Sequence, residues 1–290
     1  MIVLMGFNER MPMSRQEVNA IDREVVIKKA YERARTYVHE TEIQPEQFRD
    51  LYGKDVVDDD TAYVAEMEEK FTHEGEPSEV KKLATIFEAL LHERIAYGKW
   101  LGSESSSQKT SRYDDIFNGV DEVVETEVHE AATSYLGLTL DATLGSADAK
   151  FKRIKREIDA GELSKVKYFR SKKGEFRGEL SRVPRVVIAT DAKTVLELAT
   201  LWLNKDYKTL NEHPFQHQML EEILLQLGHF ETYARERGDT AIATTFARSR
   251  AVIEVIQKSK KVSTPDNPKK RDGGVGKIRG YLGILPIVEK

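Results

Sequence analysis

Three acidic residues, Glu88, Asp121 and Asp141, stand where side chains can do chemistry. Glu88 lies at the edge of an apolar helical stripe, Asp121 at the entrance of a valine-rich segment, and Asp141 on the polar face of an alternating one. Carboxylates gathered in a partly buried site repel one another and take up protons unless a cation joins them. Their natural partner is a hard divalent ion such as Mg2+ or Mn2+. Such an ion polarises a phosphoryl oxygen and lowers the pKa of a bound water, the two needs of phosphodiester hydrolysis. Spacing alone does not single these three out from 49 Asp and Glu residues. The chain has no cysteine, so any metal must sit on carboxylate, imidazole or carbonyl groups.

The elements that must position these groups are legible in the apolar pattern. Val80, Leu83, Phe87, Leu90, Leu91 and Ile95 form one arc of a helix, with Glu88 at its rim. Residues 102–107, glycine followed by serines and a glutamate, read as a flexible loop. Residues 120–128 suit a helix or a strand, and the next segment decides. Residues 136–143 alternate strictly, with leucines on one face and Thr139, Asp141 and Thr143 on the other, which predicts a hairpin with Asp121 near its entrance. A helix from Ser146 to about Gly161 turns Ala147, Phe151, Ile154 and Ile158 inward. Residues 183–189 read as a buried strand led in by Pro184, and helices follow at 192–203, 214–228 and 241–256. This order predicts an α/β (α+β) chain, a small mixed β-sheet flanked by helices.

Upstream, Ser14 and Glu17 fit a capping box, Pro45 starts a short helix, the acids Asp58, Asp59 and Asp60 cap a third, and residues 75–78 break the chain before the helix of Glu88. The division expected is an acidic helical subdomain over 1–76, an α/β core with C-terminal helices over 77–257, and a basic mobile tail over 258–290.

Of the 290 residues, 40% are hydrophobic and 32% charged, a globular composition. No run approaches the roughly 18 apolar residues of a membrane span, and the apolar start is too short for a signal peptide, so a soluble, cytoplasmic protein without a membrane partner is expected. The net charge of −4 hides a segregation: residues 1–149 hold 16 Lys/Arg against 31 Asp/Glu, and residues 150–187 hold 13 against 5. The basic segment reads either as the wet face of a helix or as a polyanion site. In the second reading Lys152, Lys155, Lys167 and Arg170 are the candidate nucleic-acid contacts, and binding confined to that face weakens steeply with salt.

Residues 87–93, 111–121 and 138–143, followed by the helix from Ser146, Lys167-Tyr168-Phe169 and the strand 183–189, resemble the PD-(D/E)XK, restriction-endonuclease-like, nuclease superfamily, and look most similar to its uncharacterised bacterial members. The resemblance spans roughly residues 80–205. It implies a restriction-endonuclease-like core and a Mg2+- or Mn2+-dependent nuclease, with Glu88 as the helix acid, Asp121 as the first strand acid, Asp141 as the acid of the acidic-X-lysine triplet and the carbonyl of Ala142 as a further ligand. The departure is Thr143, which stands where the family has lysine. Lys150, on the following helix, is the candidate to replace it, with Lys152 pointing further round. The alternative is a catalytically silent module of the same fold that binds nucleic acid or a protein. Arg112 is a candidate phosphate clamp or a surface ion-pair partner, and Asp114 and Asp115 either cap a turn or reach the metal. DNA is the favoured substrate over RNA, and a homodimer would supply the two sites that cutting both strands needs.

Other signals are set aside. His213, His217 and Glu221 lack a third ligand type for zinc, and residues 273–277 lack the spacing of a phosphate loop. Trp100, Trp202, Tyr168 and Phe169 read as packing residues.

Overall fold

A computed structural model describes residues 15–72, 77–129, 132–141, 147–172, 176–260 and 273–283; Ser14 of the expected capping box lies outside them. The architecture is mixed α+β, as the order of patterns predicts. Helix α1 (Arg15–Thr41) places Ile27, Ala30 and Ala34 at helical spacing into the same core as α4, so it packs as part of the main body. A 3-10 turn (Pro45–Phe48) leads into α2 (Arg49–Tyr52), and Gly53, at a φ of 85°, ends it. Helix α3 (Lys54–Thr72) therefore starts earlier than the acidic run suggested. Asp58, Asp59 and Asp60 lie inside it and cap nothing.

Ser78 opens α4 (Glu79–Ala96) by accepting from the Lys81 amide at 3.3 Å. Leu83, Phe87, Leu90, Leu91 and Ile95 are buried along it, while Val80, on the first turn, is 56% exposed. Residues 105–109, mostly placed in a loop by their serines, form strand β1 (Ser105–Lys109). It pairs antiparallel with β2 (Glu122–His129), which pairs antiparallel with β3 (Ala132–Asp141) as the expected hairpin. The inward side chains of β1 are polar yet answered: Ser105 and Thr126, opposite each other, share a hydrogen bond at 2.8 Å.

Helix α5 (Ala147–Asp159) buries all four predicted residues. Strands β4 (Ser164–Arg170) and β5 (Arg177–Val183) form a separate hairpin before the chain returns through β6 (Arg185–Ala189), parallel to β3. The sheet order is β1-β2-β3-β6. The outer edge of β6 would expose backbone groups, and α6 (Ala192–Leu203) and α7 (Tyr207–Asn211) are followed by the helix that covers it. On α8 (Phe215–Glu236), Gln226 both accepts from the Val187 amide and donates to the Val187 carbonyl, each at 2.7 Å, and Glu222 accepts from the Ala189 amide. Helix α9 (Thr240–Ser259) packs along α8.

Part of the expected mobile tail is ordered. Helix α10 (Gly274–Leu282) buries Val275, Ile278 and Leu282 against α8 and α5. Its apolar positions recur at helical spacing, but glycine-rich and basic composition conceals them. Trp100 and Trp202 are fully buried, as expected of packing residues. No helix among the described residues is long and apolar enough to cross a membrane.

Candidate functional site

The site is built around a turn. Between β1 and β2 the chain makes one turn of π-helix (Asp114–Asn118) that closes at Gly119, whose φ is 65°. A side chain at Gly119 would be strained by that conformation, and its Cβ would come within 2.6 Å of Arg153 Nη1. Asp114 is fully buried and accepts from Ser111 Oγ, Asn118 Nδ2 and the amides of Lys167 and Tyr168, at 2.6–3.0 Å. It ties the turn to itself and to β4. Asp114→Ala is expected to cost about 2–3 kcal/mol, because two β4 amides lose their acceptor; a denaturant midpoint equal to wild type would contradict this.

With Asp114 turned inward, its neighbour Asp115 is aimed at the mouth of β2. There its carboxyl is hydrogen-bonded to that of Asp121. Burial first, and then the Asp115 charge, push Asp121 well above the usual carboxylate range, against the pull of Lys150 and Lys109. Burial acts on Asp115 as well, but Lys109, the hydrogen bond with Asp121 and Arg112 outweigh it and hold Asp115 below that range. Two carboxyls in contact cannot both ionise cheaply, which is why the pair drives Asp121 up while the cations hold Asp115 down.

Lys109, the last residue of β1, is 3% exposed. Its ammonium is ion-paired with Glu88 and donates to the Asp121 carbonyl at 2.8 Å. Burial alone would lower its pKa; the charges of Glu88, Asp115 and Asp121 outweigh that and hold it above the usual lysine range. Glu42 feels the same group of charges, with burial raising its pKa and Lys109 and Arg112 lowering it. One turn beyond Glu88 on α4, His92 Nδ1 meets Glu122 at 2.7 Å and Ser107 at 3.2 Å, a buried contact that fixes α4 on the β1–β2 ribbon and with it the position of Glu88.

The structure thus brings Glu88 and Asp121 to one cluster and places Lys150 within electrostatic reach of Asp121. Asp141 ends β3 beside Ala189, and its side chain is outside the described residues, as are Ala142 and Thr143. Two members of the cluster, Lys109 and Glu42, were missed by sequence reasoning as site groups, and of the adjacent acids Asp114 and Asp115, which it weighed together, it is Asp115 that reaches Asp121.

Arg112 pairs with Asp115 and Glu68, the ion-pair reading of that residue. Part of the basic segment is answered within the protein. Lys152 pairs with Asp148 along α5, and Lys155 Nζ lies 5.6 Å from the centre of the Tyr233 ring. Lys167 is not displayed as a nucleic-acid contact: it is ion-paired with Asp60 among the rings of Tyr52, Tyr113 and Tyr168. Arg177 pairs with Asp50, while Arg170, at the end of β4, is exposed. Acidic α2 and α3 therefore neutralise part of the basic stretch that follows a hundred residues later.

Among the described residues no three His, Asp or Glu side chains stand close enough together to hold a metal ion. The donor chemistry of the contacting pair nevertheless fits a hard cation, which relieves its repulsion. Against known proteins, no family model, no curated protein and no solved structure matches the chain.

Proposed function

We propose that the protein is a divalent-metal-dependent nuclease that hydrolyses phosphodiester bonds, DNA ahead of RNA, in the cytoplasm. The observation that carries this reading is the contact between the buried carboxyls of Asp115 and Asp121, beside Lys109 and within electrostatic reach of Lys150. In this reading the contacting pair Asp115 and Asp121 would hold Mg2+ or Mn2+ together with Asp141, with Glu88 joining only if it leaves Lys109; the ion when bound supplies Lewis-acid polarisation and an acidified water. The protein's own residues then account for the departure at Thr143. Lys150 on α5 lies within electrostatic reach of Asp121, and Lys109 is a second ammonium at the same cluster. Either places positive charge where a scissile phosphate gains negative charge. The helix, antiparallel ribbon, crossover helix and parallel strand also follow the order on which the nuclease resemblance rests.

The test is cleavage of single- and double-stranded DNA and RNA with Mg2+ or Mn2+. Wild type is expected to cut, Asp121→Asn to lose cutting, and Lys150→Ala to fall by about 10²- to 10⁴-fold. A folded wild type inert with either metal on every substrate would overturn the proposal. A second reading, a catalytically silent module of the same fold, is favoured by one observation: Lys109 already neutralises Glu88 from within.

A further inference from the structure

The β4–β5 hairpin carries charges that work against its own stability. Arg170 and Arg177 stand directly opposite each other across the two strands. Between the pairs Ser164–Val183 and Val166–Leu180, the two residues Ser181 and Arg182 oppose the single Lys165, a bulge in which Arg182 takes a φ of 61°. Like charges across a ladder repel, so neither juxtaposition is explained by the folding of the hairpin. Helices α3 and α2 answer only part of it, with Asp60 on Lys167 and Asp50 on Arg177. Lys165, Arg170, Lys172 and Arg182 are exposed, and among the described residues none of the four is ion-paired. Glu179, which accepts from Ser181 Oγ at 2.7 Å, is the single acid among the described hairpin residues.

The same hairpin is fastened to the candidate site. A second bulge sets Lys167 and Tyr168 against Glu179 alone, which interrupts the ladder at those two amides. They are the amides that Asp114 accepts, at 2.7 and 3.0 Å, one residue before the carboxyl that reaches Asp121. Val166, Phe169 and Leu180 pack on Val120 and Val123 around the start of β2, so the exposed cations lie on the solvent side. Lys165 and Arg170 are two and three residues from the Lys167 amide, at most about 7 and 11 Å of chain.

We infer that the solvent side of the β4–β5 hairpin is the path of a nucleic-acid backbone, with Lys165, Arg170, Lys172 and Arg182 on its phosphates, leading the strand to the Asp115–Asp121 pair. The inference rests on the nuclease reading and names how its substrate is held. It moves the contact from α5, where Lys152 is ion-paired with Asp148, to the hairpin. A phosphodiester chain suits this surface because its charges are fixed and closely spaced. From Lys165 to Arg170 the strand rises roughly 17 Å, the length of about five phosphate steps at about 3.4 Å each. Phosphate contacts position a strand without reading it, so no selection of sequence is expected.

The test measures binding of labelled DNA oligonucleotides, single-stranded and duplex, by fluorescence anisotropy with the full chain in EDTA, where cutting cannot deplete the probe. Lys165→Gln and Arg170→Gln are each expected to weaken binding about 3- to 10-fold near about 0.1 M salt, and to lower the slope of log affinity against log salt by about 1. Lys152→Gln is expected to change neither. Both hairpin variants should keep or slightly raise the wild-type Tm, because each removes one of two facing like charges. Wild type without salt-dependent binding, hairpin variants with wild-type affinity and slope, or an equal loss in Lys152→Gln would overturn the inference. So would tighter binding of polyglutamate of equal charge than of DNA, which would assign the hairpin to an acidic protein. Weakened binding in the hairpin variants with no wild-type cleavage under either metal sinks the nuclease and leaves a backbone-binding surface. Wild-type cleavage with unaltered binding in both variants sinks the path and leaves the nuclease.

Discussion

Asp121→Asn is expected to abolish metal-dependent cleavage and at the same time to make the metal-free protein more stable. Asp121 has a folded-state pKa raised by burial and by Asp115. A carboxyl of this kind contributes its stability below the unfolded value of about 4, and loses that contribution as pH rises through the folded value. At neutral pH the wild type therefore carries a strained pair, whereas an asparagine amide can donate to Asp115 without any ionisation. The gain in EDTA should be about 1–2 kcal/mol, a rise in Tm of roughly 2–6 °C. Added Mg2+ should reverse the ranking. Binding to the native state alone stabilises by about 2.7 kcal/mol at a hundred times the dissociation constant, and the variant lacks a ligand. Thermal unfolding of both proteins with EDTA and with saturating Mg2+ reads both effects. A variant less stable than wild type in EDTA, or an equal Mg2+ shift in the two, would remove the pair from the metal site.

Lys109→Met should be the most destabilising single change at the site, by about 3–5 kcal/mol in the absence of metal. The methionine keeps most of the volume of the lysine stem, so packing changes little and the loss is one of charge. What remains is Glu88, Asp115 and Asp121 with their nearest buried cation gone. Two rescues should follow from that cause. Mg2+ should restore more stability to this variant than it adds to wild type, and lowering the pH should narrow the deficit as the carboxyls protonate. Combining Lys109→Met with Glu88→Gln should cost less than the sum of the single changes, because the orphaned charge is gone. A Lys109→Met protein as stable as wild type in EDTA, or one insensitive to both pH and Mg2+, would show that the ammonium is not the counter-charge of the cluster.

The elements that carry a strong period were legible from residues alone. The leucine alternation of β3, the buried stripe of α5 and the arc of α4 each report on one face of one element, and burial of that face follows from the hydrophobic effect wherever the element lands. Glu88 at the rim of α4 and Asp121 at the mouth of β2 were placed on their elements the same way, while their choice as site acids came from the nuclease resemblance. Strand β1 was not, because its inward Ser105, Ser107 and Lys109 are buried by virtue of partners on β2 and α4 rather than by apolarity. Helix α10 was hidden for the opposite reason, a sparse apolar stripe within basic, glycine-rich composition.

By itself, then, the sequence determined the order of most helices and strands and the small mixed sheet. Tertiary structure decided which of two adjacent aspartates faces the site. Asp114 turns inward because two β4 amides, more than fifty residues away, need an acceptor, and that leaves Asp115 for Asp121. It also decided what the charges are for: Lys167 and Arg177 meet Asp60 and Asp50 across more than a hundred residues of chain. Side-chain direction on a turn and the pairing of distant charges depend on what packs against them, and no local pattern carries that information.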